Sequence, residues 1–138
     1  MPAKVLTYVD ASVLITASRG DNLAVRLRAL KVLGDKQREF LSSEFLRLET
    51  LPYTIHFKRS KEQAFLHNFF EQHVDYWVTN EVDLFQPAYD LIVRHNLQLI
   101  DALHLSAAMM YKAEFVTVEK PTKPFHSAYS RVASLYQK

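Results

Sequence analysis

Three acidic residues stand among apolar neighbours, where an unpaired charge is costly. Asp10 ends the run Val5-Leu-Thr-Tyr-Val-Asp10, Glu49 lies within Phe45-Leu-Arg-Leu-Glu-Thr-Leu-Pro52, and Asp101 sits in Leu99-Ile-Asp-Ala-Leu-His-Leu105. Glu119, directly after Phe115-Val-Thr-Val118, is a weaker fourth. Taken singly, each has a plain structural explanation. Asp10 can cap a following helix, Asp101 can face a helix N-terminus, Glu49 can pair with an arginine, and Glu119 can be a solvated loop acid. Taken together they suggest more. Carboxylates that gather repel one another unless a cation neutralises them. Hard cations such as Mg²⁺ or Mn²⁺ take oxygen ligands, and they activate water and stabilise charge in phosphodiester cleavage. Glu44 is a poor partner for Glu49. Five residues turn a helix by ~500°, leaving the two side chains ~140° apart; Glu44 is better placed to face Arg47.

Strands alternating with helices would have to position these acids. Val5–Asp10 reads as a first strand, followed by helical patterns over 12–18 and 22–33, the latter stopped by Gly34. Residues 38–43 read as a second strand. The stripe of Phe45, Leu48 and Leu51 opens a helix that Pro52 is expected to bend or interrupt. Ser60, with Gln63 three residues on, reads as a capping box for the next helix. Residues 76–78 form a third strand, Thr79 or Asn80 caps a long helix containing Pro87, and 102–111 form a further helix. Residues 114–118 and 131–136 complete the strands. This alternation predicts an α/β domain with a mainly parallel sheet. Ligands of such sheets bind beyond the carboxyl ends of the strands, where Asp10 and Glu119 stand and where Asp101 can point.

Composition narrows the alternatives. The chain has 138 residues, 17 Lys+Arg against 15 Asp+Glu, and 49% hydrophobic residues. One domain spanning 1–138 with a real core is expected. No cysteine is present, which removes disulfides, thiolate zinc sites, iron–sulfur clusters and cysteine nucleophiles. Two glycines, Gly20 and Gly34, leave no glycine-rich phosphate loop. A net charge of +2 argues against coating nucleic acid by bulk charge. No apolar run approaches the ~18–20 residues of a membrane span, and the N-terminal stretch lacks the pattern of a signal peptide. A cytoplasmic protein is expected.

At the acids the sequence resembles a known family, the PIN-domain ribonucleases, in particular the VapC-like toxins. Tyr8-Val-Asp-Ala-Ser-Val-Leu-Ile15 resembles the family's opening strand with its first metal-binding acid. Phe40-Leu-Ser-Ser-Glu-Phe-Leu-Arg-Leu-Glu49 is similar to the second motif, whose acid follows a serine by six residues. Ile100-Asp-Ala-Leu-His-Leu-Ser-Ala-Ala108 resembles the third and most recognisable motif. The family commonly carries Thr-x-Asp after its fourth strand; this chain departs from that with Thr117-Val-Glu119. The resemblance implies a three-layer α/β/α PIN-like domain and an Mg²⁺- or Mn²⁺-dependent ribonuclease. Asp10, Glu49 and Asp101 would be its catalytic metal ligands, with Glu119 assisting. It implies that Ser12 orients Asp10 and that Thr117 contacts metal-bound water. It also implies an RNA substrate, a cognate antitoxin and a homodimer.

Other chemistry is less well supported. The six histidines form neither an HxH nor an HExxH pair. His104, three residues after Asp101, reads as a satisfied, partly buried histidine rather than a catalytic one. The basic groups Arg26/Arg28/Lys31, Lys58/Arg59/Lys61 and Lys120/Lys123 read as solvated faces, with a phosphate-contacting role open to those that fold near the acids. The aromatics read as core or dimer face. Two rival functions stand beside the nuclease: a catalytically weakened PIN-fold module binding RNA or protein, and a receiver-like phosphoacceptor. The last needs an aspartate at a middle strand end, whereas the third strand here ends on Val78-Thr-Asn80.

Overall fold

The computed structural model describes residues 3–121 and 124–136. Its chain order is β1 (Val5–Val9), α1 (Ala11–Arg19), α2 (Leu23–Leu33), β2 (Arg38–Ser42), α3 (Glu44–His56), α4 (Ser60–Asn68), a π-helical turn (Phe69–His73) and β3 (Val74–Trp77). A 3₁₀ turn (Glu81–Leu84), α5 (Phe85–His95), α6 (Leu99–Met110), β4 (Glu114–Thr117), α7 (Phe125–Ala128) and β5 (Val132–Ser134) follow. The five strands form one sheet in the order β3-β2-β1-β4-β5, every pair parallel. The expected mainly parallel α/β sheet is therefore present, with β1 at its centre.

Alternation along the central strands divides the core into two. Tyr8, Leu41 and Phe115 face α5 and α6, while Val9, Phe40 and Val116 face α1, α2 and α4. Tyr8 lies opposite Phe115 and Val9 opposite Val116 in the β1–β4 register, so both strands send alternate residues to the same two sides. The result is three layers. At the amino ends of the strands, Arg38 on β2 reaches β4 through Glu114 Oε1 (2.5 Å) and β1 through Thr7 Oγ1 (2.9 Å). That leaves the carboxyl ends for chemistry.

Several local expectations need correction. Pro52 does not interrupt α3, which continues to His56. Pro87 sits in the first turn of α5, where the missing N–H has no intrahelical partner to lose. Ser60 is the first residue of α4 rather than its cap; Arg59 holds the cap position, with no side-chain cap hydrogen bond. The third strand starts earlier than expected, at Val74, and Asn80 precedes the 3₁₀ turn, where its side chain bonds Asp83 (3.0 Å). Glu44 does pair with Arg47 (3.3 Å). Of the Lys120–Pro124 segment, Thr122 and Lys123 lie outside the described residues. No helix among the described residues is long and apolar enough to cross a membrane.

Candidate active site

Asp10 follows β1 directly and serves as the N-cap of α1, so the capping explanation holds at the same time as any chemical one. Its carboxylate is buried. Oδ1 accepts from the Ser12 amide (3.0 Å) and from the Ser12 hydroxyl, and Oδ2 accepts from the Thr117 hydroxyl (2.7 Å). The two hydroxyls are themselves fixed from the β4 side. Ser12 Oγ accepts from the Val118 amide (3.0 Å) and Thr117 Oγ1 from the Glu119 amide (3.0 Å). Ser12 thus orients Asp10 as the resemblance implied, and Thr117 does so as well.

Burial pushes the Asp10 carboxyl up to about 6 from an ordinary 3.8. The hydroxyls of Ser12 and Thr117 and the charge of His104 work against that rise, and the negative charge of Asp101 adds to it. Asp101, half-buried in the first turn of α6, is therefore electrostatically coupled to Asp10. Three hydrogen bonds leave this carboxylate incompletely compensated for lost water.

Glu49 is held differently. Oε1 accepts from His104 Nε2 (2.7 Å), and His104 Nδ1 meets the Tyr8 hydroxyl (2.6 Å), which meets Ser43 Oγ (2.7 Å). A carboxylate only accepts, so Nε2–H donates to Glu49, and the Nδ1–Tyr8 and Tyr8–Ser43 contacts complete the chain. Ser43 is also the side-chain cap of α3, accepting from the Leu46 amide (3.3 Å). Burial pushes the Tyr8 phenol far above its usual range; Ser43 opposes the shift, and the charges of Asp10 and Glu49 reinforce it. Both acids thus act on the same hydroxyl. His104 is fully buried and bonded through both ring nitrogens.

Glu119 is exposed, two residues beyond β4. It lines a cavity of about 160 Å³ with Asp101, Asn96 and Phe125, and a second of about 470 Å³ with Ser12, Lys120 and Tyr136.

Solved structures share this arrangement of strands and helices. FitAcB from Neisseria gonorrhoeae is 14% identical, with a TM-score of 0.68, over 96% of this chain and 99% of that one. A toxin–antitoxin complex from Klebsiella pneumoniae is 17% identical at the same TM-score and the same coverage. Mycobacterium tuberculosis VapC20, a sarcin–ricin loop cleaving toxin, is 17% identical with a TM-score of 0.65, over 88% of this chain and 94% of that one. The fold is PIN-like. No protein-family model matches the sequence, and no curated protein matches it.

In this PIN-like domain the four expected acids divide. Asp10 and Asp101 feel each other's charge, Glu119 shares a cavity wall with Asp101, and Glu49 is engaged by His104. Among the described residues, no three His, Asp or Glu side chains form a group that could hold a metal ion on their own. The donor chemistry nevertheless suits Mg²⁺, which keeps several waters and needs only one or two carboxylates. Asp10, incompletely compensated, and Asp101, whose charge acts on it, are the two carboxylates that would hold it. Sequence reasoning missed the Tyr8–Ser43–His104 chain. The i, i+3 spacing of Asp101 and His104 was visible, but nothing in the sequence joins Tyr8 to a histidine 96 positions away.

Proposed function

We propose that this chain is a divalent-metal-dependent endoribonuclease of the VapC-like PIN type, the toxin of a toxin–antitoxin pair, working in the cytoplasm as a homodimer. The observation that carries this reading is the buried Asp10 carboxylate, pushed up by burial and by Asp101 at the carboxyl end of the central strand. A fold that keeps two coupled acids there bears a continuous electrostatic cost, which a cation relieves. Asp10 and Asp101 would hold Mg²⁺ or Mn²⁺, with Glu119 at the cavity edge and Glu49 supported by His104. The ion supplies water activation and stabilisation of the developing phosphodiester charge. Ser12 and Thr117 hold the Asp10 oxygens in place, and His104 fixes the carboxylate of Glu49. The antitoxin partner is supported by likeness to the Klebsiella pneumoniae complex, and RNA as substrate by likeness to the sarcin–ricin loop cleaving toxin.

Among the described residues no three acids form a group that could hold a metal ion, which favours one rival, a catalytically weakened PIN-fold module that binds RNA or protein. One experiment separates the two. Cleavage of labelled RNA in Mn²⁺ is compared between the wild type and a folded Asp101→Asn variant. The nuclease reading expects a loss of at least about 100-fold; equal cleavage by both proteins sinks it.

A further inference from the structure

The larger cavity beside the acids contains a cation. Lys120 lines it together with Ser12, Glu119 and Tyr136. Its ammonium sits 5.2 Å from the centroid of the Tyr136 ring, within cation–π range. The segment carrying that ring is tied down. The Tyr136 amide donates to Ser134 Oγ (3.2 Å), and Ser134 Oγ donates to the Glu119 carbonyl (2.5 Å). The Leu135 amide donates to the Thr117 carbonyl (2.8 Å), and Arg28 Nη1 donates to the Leu135 carbonyl (2.9 Å). Two of these bonds hold the segment that carries the ring against the same β4 end that holds Asp10, and a third ties it to α2.

Four arginines are committed elsewhere. Arg38 bonds Glu114, Arg47 faces Glu44, and Arg19 and Arg59 both face Glu62. Lys120 instead shares a wall with Ser12, whose hydroxyl bonds Asp10. A lysine on a flexible stem loses rotamer freedom when it grips a ligand, and a ring that already seats the ammonium reduces that cost. The cavity therefore pairs a preorganised point charge with a route to the acids.

We propose that Lys120 is a phosphate-binding residue for single-stranded RNA, and that Tyr136 is the positioning residue that seats its ammonium beside the acid site. This rests on the ribonuclease reading, and its test uses binding so that the two can fail separately. Affinity for a labelled oligouridine is measured in EDTA from about 50 to about 300 mM KCl. Lys120→Met is expected to weaken binding about fivefold, and to lower the slope of log affinity against log salt by about 0.7, the share of one single-strand phosphate. Tyr136→Phe keeps the ring and should match the wild type, whereas Tyr136→Leu should move partway towards Lys120→Met. Lys36→Met, at the amino end of β2, should change neither quantity. If the wild type binds RNA and Lys120→Met alters neither affinity nor slope, the subsite is overturned and the nuclease reading stands. Equal losses in Lys120→Met and Lys36→Met also overturn it, because bulk charge then accounts for both. If the wild type binds no oligouridine, this proposal falls whatever the cleavage assay shows. Loss of the Asp101 dependence with the Lys120 effect intact removes the nuclease and keeps the RNA-binding subsite.

Discussion

Asp10 and Glu49 are two acids at one end of the same sheet, and they are supported in opposite ways. Asp10 is buried and held by small hydroxyls and one amide from α1 and the β4 end. Glu49 keeps 31% of its side chain exposed and leans on a fully buried imidazole that leans in turn on a phenol and a serine. At Asp10 the acid bears the electrostatic cost and its supports merely soften it. At Glu49 the acid is partly hydrated, and the hydrogen-bonding demand falls on its supports. Neutralising the acid and deleting the support should therefore have opposite effects on stability, and three substitutions test that contrast in metal-free protein.

The largest effect is expected at His104. Leucine has a comparable volume, so His104→Leu leaves no large cavity, but the Tyr8 hydroxyl keeps only Ser43 and Glu49 loses its buried donor. Buried groups deprived of partners cost about 1–3 kcal/mol each, and a total of about 2–4 kcal/mol should appear in urea unfolding at neutral pH. A loss below about 1 kcal/mol would mean that the chain adds little to the fold and that Tyr8 is satisfied by Ser43 alone.

Asp10→Asn should act in the other direction. The native carboxyl, raised to about 6 from 3.8, holds its proton more tightly than the unfolded chain does. Below about pH 4 both states are protonated and the substitution is neutral. From there to about pH 6 the unfolded state ionises first, so the wild type loses stability as pH rises. Above that window the full penalty applies, on the order of 2–3 kcal/mol. Asparagine cannot ionise, and it still caps α1 by accepting from the Ser12 amide. Unfolding in EDTA should show the variant gaining over the wild type as pH climbs from about 4 to about 7. A pH-independent difference would show that burial does not penalise this carboxylate.

The fold was largely legible because its signals are local. The strand runs, Gly34, and the acids that end or follow strands all gave an α/β parallel sheet. Asp10, expected at the end of the first strand, stands there because the run Val5–Val9 can only be followed by a break or a cap. Local patterns failed where packing decides. Pro52 continues its helix, and Ser60 is a first residue rather than a cap. The site was half legible. Acid types and spacings named Asp10, Glu49, Asp101 and Glu119, but their neighbours come from distant segments. Tyr8, Ser43 and His104 meet only after β1, α3 and α6 have packed. Two-residue alternation put Tyr8 on the α6 side; no pattern said what it would find there.

Glu119 gives the smallest effect and bounds the acid site. It occupies the place where the resembled family has aspartate, one methylene shorter, and its carboxylate is exposed at the junction of two cavities. Two backbone bonds tie the residue to the sheet: its amide donates to Thr117 Oγ1, and its carbonyl accepts from Ser134 Oγ. Glu119→Gln leaves both bonds intact. An exposed charge pair contributes about 0.2–1 kcal/mol, and surface substitutions usually stay within about 0.5 kcal/mol. Urea unfolding in EDTA at neutral pH should therefore move by no more than about 0.5 kcal/mol. Asp10→Asn under the same conditions should be several times larger and stabilising. A gain on Glu119→Gln approaching that of Asp10→Asn would mean that the two carboxylates repel each other strongly. The site would then hold a third coupled acid, and the division between one buried, penalised carboxylate and its better-hydrated neighbours would have to be redrawn.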